Sequence, residues 1–264
     1  MTKLNILKKI AEMRRLVAQW RSEGLTVGLV PTMGGLHLGH KSLVKFASNK
    51  CDRVIVSIFI NPTQFTEEED FEIYPQTQDA DCVLIKEAGG NAVFIPDISE
   101  MYPKGFSTKV SVSGLTNIMC GASRPGHFDG VTQVVTKLLN QASANNVYFG
   151  EKDWQQLAII KRLVSDLDIP TNIVSVPTVR DEFGLALSSR NSYLNSSQLQ
   201  TAQNLSSVLQ KAAYNIAAGG CSSVECDLAS KILLNSGIDK IDYIECRNSH
   251  SLKLIERTNE DECR

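Results

Sequence analysis

The chain has no apolar run approaching the roughly 18 residues that a membrane-spanning helix needs, although 42% of its 264 residues are hydrophobic. It also lacks an excess of either charge: 27 Lys and Arg stand against 29 Asp and Glu, a formal net charge of −2. No basic stripe interleaved with aromatics appears, so nucleic acid is not an expected partner, because phosphate contacts need clustered cations. There is no Cys-x-x-Cys pair. The seven cysteines, at 51, 82, 120, 221, 226, 246 and 263, are scattered and odd in number. Reduced thiols in a cytoplasmic protein are the expectation, rather than a disulfide framework or a zinc site. Near the start, Glu12 interrupts Lys8, Lys9, Arg14 and Arg15 and no signal-type apolar core follows, so this stretch reads as a surface helix. Internal repeats and low-complexity tracts are missing too.

What is present centres on Pro31–His40, PTMGGLHLGH. The run Thr26-Val27-Gly28-Leu29-Val30 before it reads as a buried strand, and Lys41–Ala47 after it carries helical periodicity. A strand, a glycine turn and a helix start in succession suit an anion, since main-chain N–H groups and the peptide dipoles favour negative charge there. Gly34 and Gly35 let a ligand approach the backbone. His37 and His40, three apart, share one face of an opening helical turn. Taken alone, such a pair suits a surface site, a metal half-site or two satisfied polar residues equally. The context favours a ligand: the glycines follow a strand directly, and no second His/Cys cluster is near enough in sequence to complete a zinc site. The spacing is neither that of a Walker loop nor Gly-x-Gly-x-x-Gly.

Around this motif the periodicity predicts a helix over residues 4–23, with Ile6, Leu7, Ile10, Met13, Val17 and Trp20 on one stripe and Gly24 as its stop. Val54–Ile60 reads as a central parallel strand, ended by Pro62. A helix over about 77–88 and a strand at Ala92–Ile95 follow. The β-α-β-α-β order implies a doubly wound parallel sheet, whose ligands bind beyond the carboxyl ends of the strands. Both the histidine turn and Asn61–Phe65 lie at such ends. Thr108–Val112 reads as a short strand, and Gly121–Phe128 as a loop carrying Arg124 and His127 between flexible hinges. That loop suits an active-site wall and a surface turn about equally. A helix over 132–142, a strand at Val147–Phe149, a turn at Gly150–Asp153 and a helix to about 167 repeat the strand–glycine–helix pattern. Lys152 then sits where a phosphate could bind. Asn172–Val176 is the next strand.

Near residue 178 the composition changes, which divides the chain into residues 1–178 and a smaller α+β unit at 179–264. In the latter, Ser188-Ser189-Arg190-Asn191 is a polar turn suited to phosphate or to helix capping. Helices are predicted near 196–217 and 222–235, then two short alternating strands at Asp242–Cys246 and Leu252–Ile255.

The histidine motif resembles the His-x-Gly-His signature of the nucleotidylyl-transferring Rossmann superfamily, in which such histidines contact ATP phosphates. Together with SIFINPTQF (57–65), Tyr74-Pro75, SRPGHFDGV (123–131), FGEKDWQQL (149–157) and GLALSSRN (184–191), it resembles the pantothenate synthetase (pantoate–β-alanine ligase, AMP-forming) family over about residues 22–260. The resemblance implies an α/β fold, a Rossmann-like parallel-sheet domain with a smaller C-terminal α+β lid. It also implies two steps: pantoate is adenylated by ATP, carried with Mg²⁺ on the triphosphate, and β-alanine then displaces AMP.

The same resemblance implies residue roles. His37, His40 and Lys152 would be catalytic, with His40 the favoured proton donor and transition-state stabiliser. ATP would meet Met33, Gly34, Gly35, Leu36, His37, His40, Gly150, Glu151, Lys152, Asp153, Val179, Leu187, Ser188, Ser189 and Arg190. Gln64 and Gln156 match pantoate-binding glutamines, and neutral amides suit a ligand that presents hydroxyls beside its carboxylate. Asn61, Tyr74, Arg124 and His127 would complete the pantoate and β-alanine site. No residue is assigned to the metal, and a cytoplasmic homodimer is implied. Two positions depart from the family: Leu38, tolerable if it turns inward, and Gln76, where an arginine is frequent. The competing readings are a small nucleotidylyltransferase, a class I aminoacyl-tRNA synthetase and a non-catalytic adenine-nucleotide sensor. The paired glutamines and the missing basic surface weigh against them.

Overall fold

The computed structural model describes residues 4–66, 69–257 and 263–264. The chain forms two compact units, Met1–Thr178 and Val179–Arg264. In the first, six strands make one sheet: β1 (Asn5–Leu7), β2 (Val27–Thr32), β3 (Arg53–Ile58), β4 (Ala92–Phe94), β5 (Asn146–Gly150) and β6 (Asn172–Val176). Their order across the sheet is β1-β4-β3-β2-β5-β6, and every pairing is parallel. The connections include α1 (Ile10–Ser22), α2 (Leu38–Ser48), α3 (Gln78–Glu87), α4 (Ile98–Met101), α5 (Cys120–Ser123), α6 (His127–Ala142) and α7 (Trp154–Asp166).

Parallel strands covered on both faces must be apolar at successive positions. Here Val54, Val56 and Ile58 enter one core with Val44 and Ala47 of α2 and Ile85 of α3. Ile55 enters the other, with Met13, Val17 and Trp20 of α1, Leu138 and Leu139 of α6, and Ile159, Ile160 and Leu163 of α7. Chain order reverses at β2, with β3 on one side and β5 on the other. That reversal opens a crevice between the loops leaving β2 and β5, the position where doubly wound sheets bind ligands.

Three sequence expectations are corrected in this unit. The first helix begins at Ile10, because Asn5–Leu7 pairs with Ala92–Phe94 as an edge strand. Ile6 and Leu7 fit a helical stripe and a three-residue strand equally well. Thr108–Val112 is not a strand. Its polar groups turn to α6, where Val110 N–H donates to Gln133 Oε1 at 3.1 Å and Val110 O accepts from Thr132 Oγ1 at 2.6 Å. The loop expected at 121–128 is largely helical, since α6 already starts at His127.

In the second unit, α8 (Ser196–Ala217) and α9 (Ser222–Asn235) pack together beside a small core of Ile216, Cys226 and Cys246. Among the described residues, the two strands expected at 242–246 and 252–255 reduce to isolated antiparallel bridges, Arg247 with Leu254 and Asn248 with Cys263. Asn248 Oδ1 takes the N–H groups of His250 and Ser251, and this side-chain turn competes with a ladder.

Candidate active site

β2 delivers the histidine turn. Two successive left-handed glycines, Gly34 at φ +91° and Gly35 at φ +61°, reverse the chain. A side chain at Gly34 would also press on Ile58 Cγ2 at 3.1 Å and Asp81 Oδ2 at 3.3 Å. The reversal sends the next amides inward, where Gly35 N–H and Leu36 N–H donate to the two oxygens of Asp81 at 3.0 and 2.8 Å. His37 then caps α2, its Nδ1 accepting from Gly39 N–H at 3.1 Å, while His40 Nδ1 accepts from His37 N–H at 3.3 Å.

The anion site expected of bare helix amides is therefore differently built. The Gly35, Leu36, His37 and Gly39 amides already have partners, and the imidazoles add side-chain donors to this turn. Because each Nδ1 accepts a hydrogen bond, the neutral ring carries its proton on Nε2. The ring centroids lie 4.2 Å apart. Burial, then Lys152, holds His37 below the ordinary imidazole value. Burial, then His37 and Lys152, takes His40 down to about 3. At neutral pH the free protein thus presents two neutral Nε2–H donors rather than a stored proton.

Lys152 comes from the strand next door. β5 ends at Gly150, and Glu151–Asp153 form a single 3₁₀ turn before α7. The Lys152 ammonium, 3.8 Å from the Asp153 carboxylate and partly exposed, lies near enough to depress both histidines. Met33, Gly34 and Ile58 also back a cleft of about 520 Å³ that carries Glu72, Asp81 and Asp97. No Lys, Arg or His is among its described lining residues. A triphosphate suits the histidine side, where the cation is.

The loop after β3 forms a shelf under Gln64. Asn61 is 1% exposed. Its Nδ2 donates to Gly130 O at 3.0 Å and Gln64 Oε1 at 3.1 Å, and its Oδ1 accepts from Thr63 Oγ1 and from the Tyr102 hydroxyl at 2.8 Å. With both ends engaged, Asn61 positions Gln64. Gln64 Nε2 reaches Met33 Sδ at 3.1 Å, which joins the shelf to the histidine turn. Gly130 lets α6 close against this loop, since a Cβ there would lie 2.2 Å from Thr63 O. Arg124 and His127 brace the shelf: Arg124 pairs with Glu69 through Nε and meets His127 Nε2 through Nη1 at 3.1 Å. Tyr74 is buried edge-on against Phe65, ring centroids 6.0 Å apart.

The adjacent glutamines of α7 have separate positions. Gln155 is buried and ties down the 115–120 loop, accepting from Cys120 N–H and donating to Leu115 O and Ile118 O. Gln156 is half-buried, and among the described residues its amide makes no hydrogen bond. In the second unit, Leu187 N–H donates to Val179 O at 3.0 Å, and Ser188 caps a 3₁₀ turn over Ser189–Tyr193 by accepting Arg190 N–H. Leu38 is 65% exposed and does not turn inward. Sequence reasoning missed Asp81, Tyr102 and Gly130. Only Gly130 left a trace, as part of the SRPGHFDGV block.

Among the described residues no group of three His, Cys, Asp or Glu is placed to hold a metal ion.

A family model described as pantoate-beta-alanine ligase matches residues 5–263. Pantothenate synthetase of Dinoroseobacter shibae is 50% identical over 252 residues, covering 96% of this chain and 90% of that protein. The corresponding enzyme of Paramagnetospirillum magneticum is 49% identical, with 97% and 90% covered. Among solved structures, pantothenate synthetase from Thermus thermophilus superposes with a TM-score of 0.90 at 39% identity, covering 97% of this chain and 91% of that one. Pantoate-beta-alanine ligase from Francisella tularensis, complexed with beta-gamma ATP and beta-alanine, gives 0.75 at 40% identity over 79% and 80% of the two chains. With the family model matching residues 5–263 and the fold and sequence relatives in agreement, this chain belongs to the pantoate–β-alanine ligase family.

Proposed function

We propose that this chain condenses pantoate with β-alanine at the expense of ATP, and that the crevice between the β2 and β5 loops is where it does so. The observation that carries the reading is the pair of Nε2–H donors on His37 and His40 beside the Lys152 cation. The pantoate carboxylate attacks the α-phosphorus of ATP, and the bond to the β,γ-diphosphate breaks, giving pantoyl adenylate and diphosphate. The β-alanine amine then attacks the acyl carbon, AMP leaves with the carboxyl oxygen, and the amine's surplus proton passes to solvent.

In such a transfer, positioning and charge stabilisation do most of the work. His37, His40 and Lys152 would donate to oxygens whose charge grows as the diphosphate departs. Met33, Gly34, Gly35, Leu36, Gly150, Glu151 and Asp153 would border the nucleotide. Gln64 and Gln156 offer amide groups to the hydroxyls and carboxylate of pantoate, and Tyr74 borders the amine's approach. Asn61, Arg124 and His127 hold Gln64. Mg²⁺ comes as part of the ATP complex and offsets phosphate charge. A cytoplasmic homodimer belongs to the same proposal; light scattering giving a 29.0 kDa particle would contradict the dimer.

The test follows diphosphate and AMP chromatographically with ATP and Mg²⁺. Diphosphate in about one enzyme equivalent with pantoate alone, then turnover to AMP once β-alanine is added, is the expected result. Bound ATP with neither product would overturn the catalytic reading.

A further inference from the structure

We propose that Asp81 is a positioning residue for adenylation, one that fixes the two imidazoles through the backbone that carries them. The proposal rests on the reading of His37 and His40 as phosphate donors. Asp81 lies in the first turn of α3, outside the histidine motif, and is 1% exposed. Oδ2 accepts Gly35 N–H at 3.0 Å, while Oδ1 accepts Leu36 N–H at 2.8 Å and the Thr77 hydroxyl at 3.0 Å. Thr77 O also receives Asp81 N–H at 2.8 Å, which locks the turn holding both residues. Among the described residues, no Lys, Arg or His forms an ion pair with this carboxylate. Its partners are two amides, a hydroxyl and the N-terminal end of a helix, where an anion is favoured.

The arrangement has directional content. The left-handed glycines turn two consecutive amides toward one carboxylate, and this sets the chain direction entering His37. His37 Nδ1 and His40 Nδ1 are in turn fixed by the next amides, so a shift of the Gly35–Leu36 peptide carries both rings with it. A carboxylate accepts at both oxygens. An asparagine accepts at one and places an NH₂ group against the other amide, donor facing donor. Asp81→Asn therefore keeps the shape and removes the geometry. Since donors a fraction of an ångström out of place stabilise a transition state poorly, the loss should fall on the rate of adenylate formation and not on pantoate binding.

The test is a double-mutant cycle on single-turnover adenylation. D81N is expected to slow that step about tenfold or more with the pantoate KM within about twofold, and to add less than about twofold in an H37A/H40A background, because it acts through those two rings. If H37A/H40A is slow and D81N is either harmless or fully additive to it, the inference fails while the reading of the rings stands. If H37A/H40A is near normal, the reading of the rings fails first and the inference falls with it. Should D81N not fold, T77V removes only the hydroxyl that orients Oδ1. A loss of about threefold that disappears in H37A/H40A supports the proposal; no loss, or one that persists there, overturns it.

Discussion

His127 gives its Nδ1–H to the main-chain carbonyl of Gln64 at 2.7 Å, while its Nε2 faces Arg124 Nη1 at 3.1 Å. Its neutral ring thus carries the proton on the opposite nitrogen from His37 and His40. The chain Glu69–Arg124–His127–Gln64 ends on backbone, so its effect on a ligand is indirect. Removing the imidazole leaves a buried carbonyl without a donor, which costs about 1–3 kcal/mol. His127→Ala should therefore lower stability by that order and, by loosening Gln64, raise the pantoate KM with the ATP KM changed far less. Steady-state kinetics with each substrate varied in turn checks this, and equal increases in both constants would count against it.

His40 should remain neutral through the physiological range in the free protein. Burial, then His37 and Lys152, takes its folded value from 6.5 to about 3. As pH falls below about 6.5 the unfolded chain takes up this proton and the folded chain does not. Stability from this group is thus complete above pH 6.5 and is lost progressively down to about 3. Urea denaturation between pH 7 and 4 should show a steeper loss in the wild type than in His40→Asn. Nitrogen-15 spectra at pH 5.5 should show His40 protonated at Nε2 alone, and a ring titrating near 6.5 would contradict the arrangement.

The legible parts of the fold were those written in apolar periodicity. Val54, Val56 and Ile58 alternate with Ile55 between the two cores, and that run is readable without coordinates. Helices with clear stops were equally plain: α8 and α9 fall on 196–217 and 222–235, as the pattern predicts. The edge strand β1 was not, because its three residues carry too few positions to separate a period of 2 from one of 3.6. In the candidate site, the histidines and Lys152 announced themselves by residue type beside glycine, while Gln64 and Gln156 came only from the family resemblance. Asp81 did not, since an aspartate four residues after Thr77 looks like any acidic first turn of a helix. Its partners are main-chain amides 45 and 46 positions away, and main-chain donors leave no mark in a sequence. The tautomers of His37 and His40 were hidden for the same reason.

The neighbours Gln155 and Gln156 separate structure from binding on one helix turn. Gln155 is 4% exposed and satisfies three main-chain groups, Cys120 N–H, Leu115 O and Ile118 O. Gln155→Ala strands those groups at about 1–3 kcal/mol each where water cannot reach them, so it should lower the unfolding free energy markedly in urea titrations. Gln156 is half-buried, and its amide has no hydrogen bond among the described residues. Gln156→Ala should change stability by no more than about 0.5 kcal/mol and act on the pantoate KM, leaving the ATP KM near its wild-type value. The pair therefore needs both measurements. A Gln156 variant that loses stability without a change in pantoate KM would make it part of the scaffold. A Gln155 variant of full stability with a raised pantoate KM would exchange the roles of the two side chains.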